Sequence, residues 1–415
     1  MNWRFLMESL RVRNNSNTHL KFEATWGNET GQHKAIQHFT RFNVWRDLDL
    51  LPQPIIGDIL DKPVGEGELH IFDQGELVPS WQESQLITIP GKNFDGRLRS
   101  GQQIKPRTGR FYPKGMITGV DGIFSGNMFP ARLIDQQEEN MTFDFNHPLS
   151  REKFQLGVEV IDIFPPNNEH GGRCTEAMAE LFDGPGMQTP YRGRATDFFF
   201  KGAFDRVDEN SDDIFYKKER MVYHLDANAR QVLGNFYADL ISHGSRVLDL
   251  MSSWESHLQG SMSDIHLDGL GMNMAELEAN KRLSDRVVHD LNLEYILPYE
   301  SETYDAVICT ASIEYLIKPI EVFKEIQRIL KPGGRLIITF SNRWFPTKAI
   351  MLWSELHEFE RLGLVVEYFR QSAWPGPINT FSYRGLIRPE DDPHYTQTGI
   401  SDPVYAVWSQ KHSIN

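Results

Sequence analysis

Three short stretches, VLDLMSSWESHL, GLGMNMAEL and HDLNLEYILPY, concentrate the residues whose types could hold a ligand. In the first, apolar Val247 and Leu248 run into Asp249, and the chain then turns through Met251, Ser252 and Ser253. The two serines are small enough to let a ligand approach the backbone. In the second, Gly269 and Gly271 permit a tight turn and Asn273 is placed to cap a following helix. The third puts Asp290 at the end of a strand, where a carboxylate can accept hydrogen bonds.

Such turns form one site only if regular elements deliver them to one edge. SRVLDLM, SDIHLDGL, YDAVICTA and RLIITFS read as strands, and PIEVFKEIQRIL reads as an amphipathic helix between two of them. Upstream, HLDANARQVLGNFYADLI places Leu225, Ala229, Val232, Leu233 and Phe236 at helical spacing. This alternation predicts a parallel α/β sheet over residues 215–415. In such a sheet ligands bind beyond the carboxyl ends of the strands, near the switch in strand order.

The first part of the chain has a different texture. Residues 41–165 read as a β-rich domain, clearest in FPARLIDQ, MTFDFNH and FQLGVEVIDI, where Phe154, Leu156, Val158 and Val160 alternate. Residues 1–40, with NNSNTH and GNETGQH, read as a loop-rich segment. Residues 166–214 read as a linker holding a short helix, TEAMAELF, with acidic DENSDD marking a domain boundary.

Composition narrows the function. Lys and Arg total 43 against 57 Asp and Glu, and the formal net charge of −14 argues against nucleic acid as a partner. No apolar run has the length of a signal peptide or a membrane helix, so the expectation is a cytoplasmic protein without a membrane partner. Two cysteines, Cys174 and Cys309, are too few for a disulfide framework or a Cys-rich zinc site, and His170 with Cys174 lacks a second pair of ligands, so no metal is expected. Lys331–Gly334, KPGG, lacks the GK[ST] pattern of a phosphate loop and reads as a tight turn between helix and strand.

The order VLDLMSS, GLGMN, DLN, LPYESETYDAVICTASIEYL, RILKPGG and ITFSN resembles a class I S-adenosylmethionine-dependent methyltransferase domain. YHLDANA and FSNRWFPTKAI extend the likeness to a methyltransferase-like subfamily, in which this module can follow a SlyD-like domain of the FKBP-type prolyl isomerases. FNHPLSREKFQLGVEVIDI resembles the final hairpin and strand of that domain. The resemblance implies a Rossmann-like, seven-stranded methyltransferase sheet behind a separate FKBP/SlyD-like domain, with S-adenosyl-L-methionine as cofactor. It places Asp249, Met251, Ser252 and Ser253 on the methionine and ribose side of that cofactor. Gly271, Met272 and Asn273 fall beside the ribose, Asp290 and Leu291 at the adenine, and Thr310 and Ser312 near the sulfonium.

Two positions depart from the family pattern. Its first loop is glycine-rich, whereas Met251, Ser252, Ser253 and Trp254 stand here, and Gly271 occupies the place of the acid that grips the ribose. Asn273 or Asp249 is the substitute open to this chain. Methyl transfer needs alignment, desolvation and sometimes a base, and the candidates are His224, Glu314 and Tyr315, with Asp226 and His257 behind them. A histidine at a helix start beside a capping aspartate is more often structural.

The expected activity is methyl transfer to an acceptor, a small molecule or a peptide or protein held by the first domain. The alternatives are a non-catalytic binding or chaperone-like protein and a peptidyl-prolyl isomerase. For the last, Phe111, Tyr112, Phe124 and Phe129 are the candidate pocket aromatics, with a place in the core as their competing role.

Overall fold

Alternating burial along the first long strand sets the architecture of the amino-terminal part: Thr18, Leu20, Phe22, Ala24 and Trp26 turn inward, and the residues between them remain partly open. In this computed structural model residues 10–65, 67–97, 101, 103–165 and 171–412 are described. They fall into two units. One takes the chain up to Glu29, His33–Phe198 and His357–Gly363; the other takes Thr30–Gln32, Phe199–Leu356 and the chain from Leu364 onward.

Among the described residues the first unit is built on β1 (Asn17–Gly27), β2 (Gln32–Asn43), β3 (Leu69–Phe72), β4 (Leu86–Pro90), β5 (Phe111–Pro113), β6 (Pro130–Gln136), β7 (Asn140–Asp144) and β8 (Phe154–Phe164). One sheet runs β2-β1-β8-β3, with β8 antiparallel to both β1 and β3. The short helices α1 (Gln53–Ile59) and α2 (Ala177–Phe182) contribute Ile55, Ile59, Leu181 and Phe182 to the core with Phe22, Trp26, Leu156 and Val158. A second, antiparallel sheet runs β4-β7-β6-β5 over its own core of Ile89, Tyr112, Leu133 and Phe143.

Two expectations change here. The segment 1–40, read as loop-rich, holds the whole of β1 and most of β2, two of the longest strands. Their inward face uses Thr18 and Ala24 beside the aromatics, so local hydrophobicity understates the alternation that the structure shows. Among the four aromatics, Phe111 and Tyr112 are buried as core residues, but Phe124 and Phe129 are 67% and 62% exposed.

The second unit holds the βαβ alternation. Its helices include α3 (Asp212–Tyr216), α4 (Ala227–Leu240), α5 (Met274–Ala279) and α6 (Pro319–Ile329). Its strands are β9 (Arg246–Leu250), β10 (His266–Gly271), β11 (Asp285–Val288), β12 (Tyr304–Thr310), β13 (Leu330–Phe340), β14 (Ile378–Arg384) and β15 (Val404–Gln410). They form the order β11-β10-β9-β12-β13-β15-β14, in which β9 to β13 are mutually parallel and β15 is antiparallel to both neighbours.

Val247, Leu248, Val307, Ile308, Leu336 and Ile337 are wholly buried, as central strands covered on both faces must be. Val322, Phe323, Ile326 and Ile329 give α6 one inward stripe. Tyr304 pairs with Leu330 but Ala306 with Arg335, so Lys331–Gly334 bulges out of β13 and Gly333 takes φ +81°. This is the turn read from KPGG, carried inside the strand.

The boundary also moves. DENSDD lies inside the second unit, because Lys348, wholly buried, draws in Asp208 (3.3 Å) and Asp212 (3.1 Å) from that run. Strand order reverses between β9 and β12, and that reversal places the loops after these strands on either side of a crevice.

Candidate active site

A cavity of about 450 Å³ opens at this crevice. Asp249, Met251, Ser252, Ser253, Gly271, Met272, Asn273, Asp290, Leu291, Thr310 and Ser312 are all in its wall, as are His224, His257 and Tyr315. Glu314 and Asp226 are not. Glu314 is 1% exposed and buried away from the wall. Asp226 caps α4 through the Ala229 N–H (2.9 Å) and faces Arg388 and the Asp402 N–H, a structural role that removes it from the bases.

The turn after β9 is tied down from several sides. The Ser252 N–H donates to the Leu270 carbonyl (2.7 Å), and the Ser252 and Ser256 hydroxyls donate to one oxygen of Asp249 (2.6 and 2.5 Å). Asn280 donates to the Ser256 hydroxyl (2.8 Å), and the Ser253 hydroxyl donates to Glu276 (2.6 Å). Complete burial pushes the Asp249 carboxyl up to about 6 despite the two hydroxyl donors, which pull it down. Met251 and His257 both take left-handed backbone, with φ of +59° and +56°. Burial pushes the His257 imidazole down to about 4, and its Nδ1 is buried without a hydrogen-bond partner among the described residues.

After β10, a Cβ on Gly271 would stand 2.1 Å from the Ser252 carbonyl oxygen, so only glycine fits. Asn273 accepts from the Ala275 and Glu276 N–H groups (2.9 and 3.3 Å) as the cap of α5 and donates to the Tyr216 carbonyl (2.9 Å). Asn273 is therefore engaged within the protein through both ends of its amide, whereas Asp249 spends one oxygen on the two serines.

After β11, one oxygen of Asp290 accepts from the Asn292 and Leu293 N–H groups (2.9 and 3.2 Å), which leaves its second oxygen for a ligand. No hydrogen bond among the described residues uses the Leu291 N–H. Asn292 locks this turn to its surroundings by donating to Asp212 (2.8 Å) and to the Tyr315 carbonyl (2.9 Å).

Aromatic and cationic side chains line the remaining wall. The Tyr315 hydroxyl accepts from the Phe345 N–H (2.9 Å), and burial, reinforced by the charge of Glu314, pushes its phenol well above the usual range. It stays protonated and cannot serve as a base. His224 stands edge-on to Phe345, with ring centres 5.3 Å apart. Loss of water around it lowers its pKa; Arg220 and Arg343 add to that effect and Glu276 opposes it.

Sequence reasoning passed over Arg220, Arg343, Phe345 and His394, all in this wall with Trp254. Trp254 donates to the Val222 carbonyl (3.1 Å) and packs on Tyr223, and Arg220 lies over Phe215 (4.4 Å) and Phe345 (5.3 Å). The signal for Arg220, Arg343 and Phe345 was the density of arginine and aromatic residues in YKKERMVYH and SNRWFP. Of the pair weighed as metal ligands, His170 lies outside the described residues and Cys174 is exposed.

Residues 262–338 match the family model described as a methyltransferase domain. A demethylmenaquinone methyltransferase of Clavibacter sepedonicus is 28% identical over 102 residues, which are 23% of this chain and 40% of that protein. A short-type peptidyl-prolyl cis-trans isomerase of Methanocaldococcus jannaschii matches the amino-terminal region, at 27% identity over 113 residues, 26% of this chain and 68% of that protein. Among solved structures, a SAM-dependent methyltransferase from Aquifex aeolicus covers 45% of this chain and 91% of its own at 14% identity, with a TM-score of 0.30. The chain thus spans less than half the length of the first methyltransferase relative it matches. Residues 262–338 therefore lie in a methyltransferase-type α/β domain, and the β-rich region ahead of it is similar to that isomerase.

Proposed function

We propose that a chain with this domain binds S-adenosyl-L-methionine in the cavity after β9 to β12 and transfers a methyl group to an acceptor seated against Phe345. The observation that carries the reading is the pairing, at one strand end, of the available Asp290 oxygen with the unclaimed Leu291 N–H. An amino-purine edge presents a donor beside an acceptor, and these two groups are its complement. A cavity of about 450 Å³ is also within the range of small-molecule sites.

Bound there, S-adenosylmethionine supplies a methyl carbon activated by the adjacent sulfonium. The protein's part is to hold and dry the reactants. Asp290 and Leu291 fix the base, and the turn from Met251 to Ser253 offers backbone on the ribose and methionine side. Thr310 and Ser312 line the far side of the switch point, where the methyl group would face the acceptor. His224, kept unprotonated at neutral pH by its lowered pKa, can take a proton from the acceptor at a ring nitrogen. Tyr315 acts through position alone, holding the Phe345 backbone.

The first unit completes the reading as the holder of a peptide or protein acceptor. A peptide retained by one part of a chain is presented to the other at raised local concentration, and the exposed Phe124 and Phe129 are the aromatic contacts available for it.

Calorimetric titration of the full chain with S-adenosylmethionine and, separately, S-adenosylhomocysteine tests the core of the reading. Micromolar binding of both is expected. No binding up to millimolar ligand would leave a binding protein with a vestigial site. Once a peptide substrate is found, replacing Phe124 and Phe129 with Ala should raise its KM, and an unchanged KM would remove the first unit from substrate handling.

A further inference from the structure

We infer that the acceptor carries an anionic group, a carboxylate or a phosphate, beside a flat apolar body, and that Arg343 selects for it. This rests on the methyltransferase reading of the cavity. Arg343 follows β13, on the other side of the strand-order switch from the turns that hold Asp249, Gly271 and Asp290, and with Trp344 and Phe345 it enters the cavity wall.

Two arginines of the wall, Arg220 and Arg343, have no carboxylate ion pair among the described residues, and the Arg220 guanidinium is spent on the Lys218 and Phe215 carbonyls and the Phe215 ring. Arg206 and Arg388, the arginines of this unit with side chains almost wholly buried in ion pairs, are neutralised by carboxylates: Arg206 by Asp212 (2.8 Å), Arg388 by Asp402 (2.5 Å) and Asp392 (3.0 Å). Arg343 has no carboxylate partner among the described residues. It is held instead by a histidine, with its terminal nitrogen 2.6 Å from His394 Nε2. A guanidinium can only donate, so His394 Nε2 accepts, and the proton of that ring sits on Nδ1, 3.2 Å from the Gln397 side-chain oxygen. The chain Gln397–His394–Arg343 therefore orients the guanidinium without cancelling its charge.

Of the carboxylates in the same wall, Asp212, Asp249 and Glu276 are engaged, Glu255 accepts from the His257 N–H (2.9 Å), and Asp290, whose second oxygen is open, stands after β11 and is assigned to the cofactor. Asp212 serves Arg206 and Lys348, Asp249 holds two serine hydroxyls, and Glu276 accepts from Ser253 and from the Arg220 N–H. In a protein with a formal net charge of −14, a cavity-lining cation left uncompensated is matched to an anion that arrives with a ligand. In the same wall Phe345, stacked on Tyr315 and met edge-on by His224, supplies a surface for a flat body.

The test is calorimetry on the full chain saturated with S-adenosylhomocysteine, using benzoate, phenyl phosphate and neutral benzamide as probes. Benzoate or phenyl phosphate should bind about tenfold more tightly than benzamide, the value of one charge-assisted pair. Which anion wins distinguishes carboxylate from phosphate. Arg343→Gln should erase the preference and leave the affinity for S-adenosylhomocysteine unchanged, and Arg343→Lys should restore part of it.

Equal binding of benzamide, or no binding of either anion at the limit of solubility, overturns the inference. So does an Arg343→Gln variant that loses S-adenosylhomocysteine, because the arginine would then serve the cofactor. Failure of the wild type to bind S-adenosylhomocysteine overturns the methyltransferase reading separately, and anion preference measured without it still reports on Arg343.

Discussion

The turn after β9 and the turn after β10 depart from the family pattern in opposite directions. One has Met251 where a glycine-rich loop is expected, and the other has Gly271 where an acid is expected. A single contact accounts for both. Ser252 gives its N–H to the Leu270 carbonyl, and its own carbonyl oxygen then stands where a Gly271 Cβ would be. The first turn thus keeps the left-handed backbone of a glycine at Met251, held by the Asp249 hydrogen-bond cluster, while it presses against β10 and excludes any side chain there. Residue types at a motif report the space left by the neighbouring turn as much as they report the ligand.

The strongest way to break this account is Gly271→Ala. The added methyl meets backbone, which cannot swing aside as a flexible side chain would, so a loss of about 3 kcal/mol is expected, at the upper end for overpacking. Urea denaturation reads it directly, and a variant as stable as the wild type would show that Ser252 is free to retreat.

Asp249 tests the other half. Its folded-state pKa, near 6, lies above its ordinary value, so burial favours the protonated form. Its contribution to stability is complete below the ordinary carboxylate range and is lost as pH rises through about 6. Asp249→Asn removes that dependence. Between pH 4 and 7 the wild type should lose about 1–3 kcal/mol relative to the variant as pH rises. Parallel stability curves across that window would mean the carboxylate is solvated.

The turn after β11 sharpens the comparison because nothing in it is displaced. Asp290→Ala should weaken S-adenosylmethionine by about 1–3 kcal/mol, the range for losing a hydrogen bond to a charged group. Calorimetric affinity equal to that of the wild type would mean that the adenine lies elsewhere.

These turns were legible because the strands that deliver them are apolar on both faces and stand out in sequence, as VLDL and AVICT do. β1 and β2 were not, since their wet faces and the polar runs around them mask an alternation built partly on Thr18 and Ala24. Nor was the true edge of the second unit legible. Asp212 reads as part of an acidic loop until Arg206 and Lys348, the latter more than a hundred residues away, enclose it.

The cavity shows the same division. Asp249, Gly271 and Asp290 are fixed by local strand ends. Arg343 and His394 meet only because two loops that are distant in sequence return to one place, and no local spacing records that. Glu314 was misjudged for the converse reason: its neighbour Tyr315 reaches the wall, but the next side chain back turns into the core.

The smallest expected effect is the most discriminating. At φ +59°, a methionine is strained by roughly 1–2 kcal/mol relative to glycine, and glycine returns about 0.4–1 kcal/mol of that by freeing the unfolded chain. Met251→Gly should therefore stabilise the protein by about 0.5–1 kcal/mol, seen as a higher urea midpoint at unchanged slope. If the Asp249 cluster is what holds the turn, the gain should disappear in an Asp249→Asn background, because Met251 relaxes out of the left-handed conformation once the serines are released. A gain that persists there would mean that contacts other than the cluster impose the left-handed conformation.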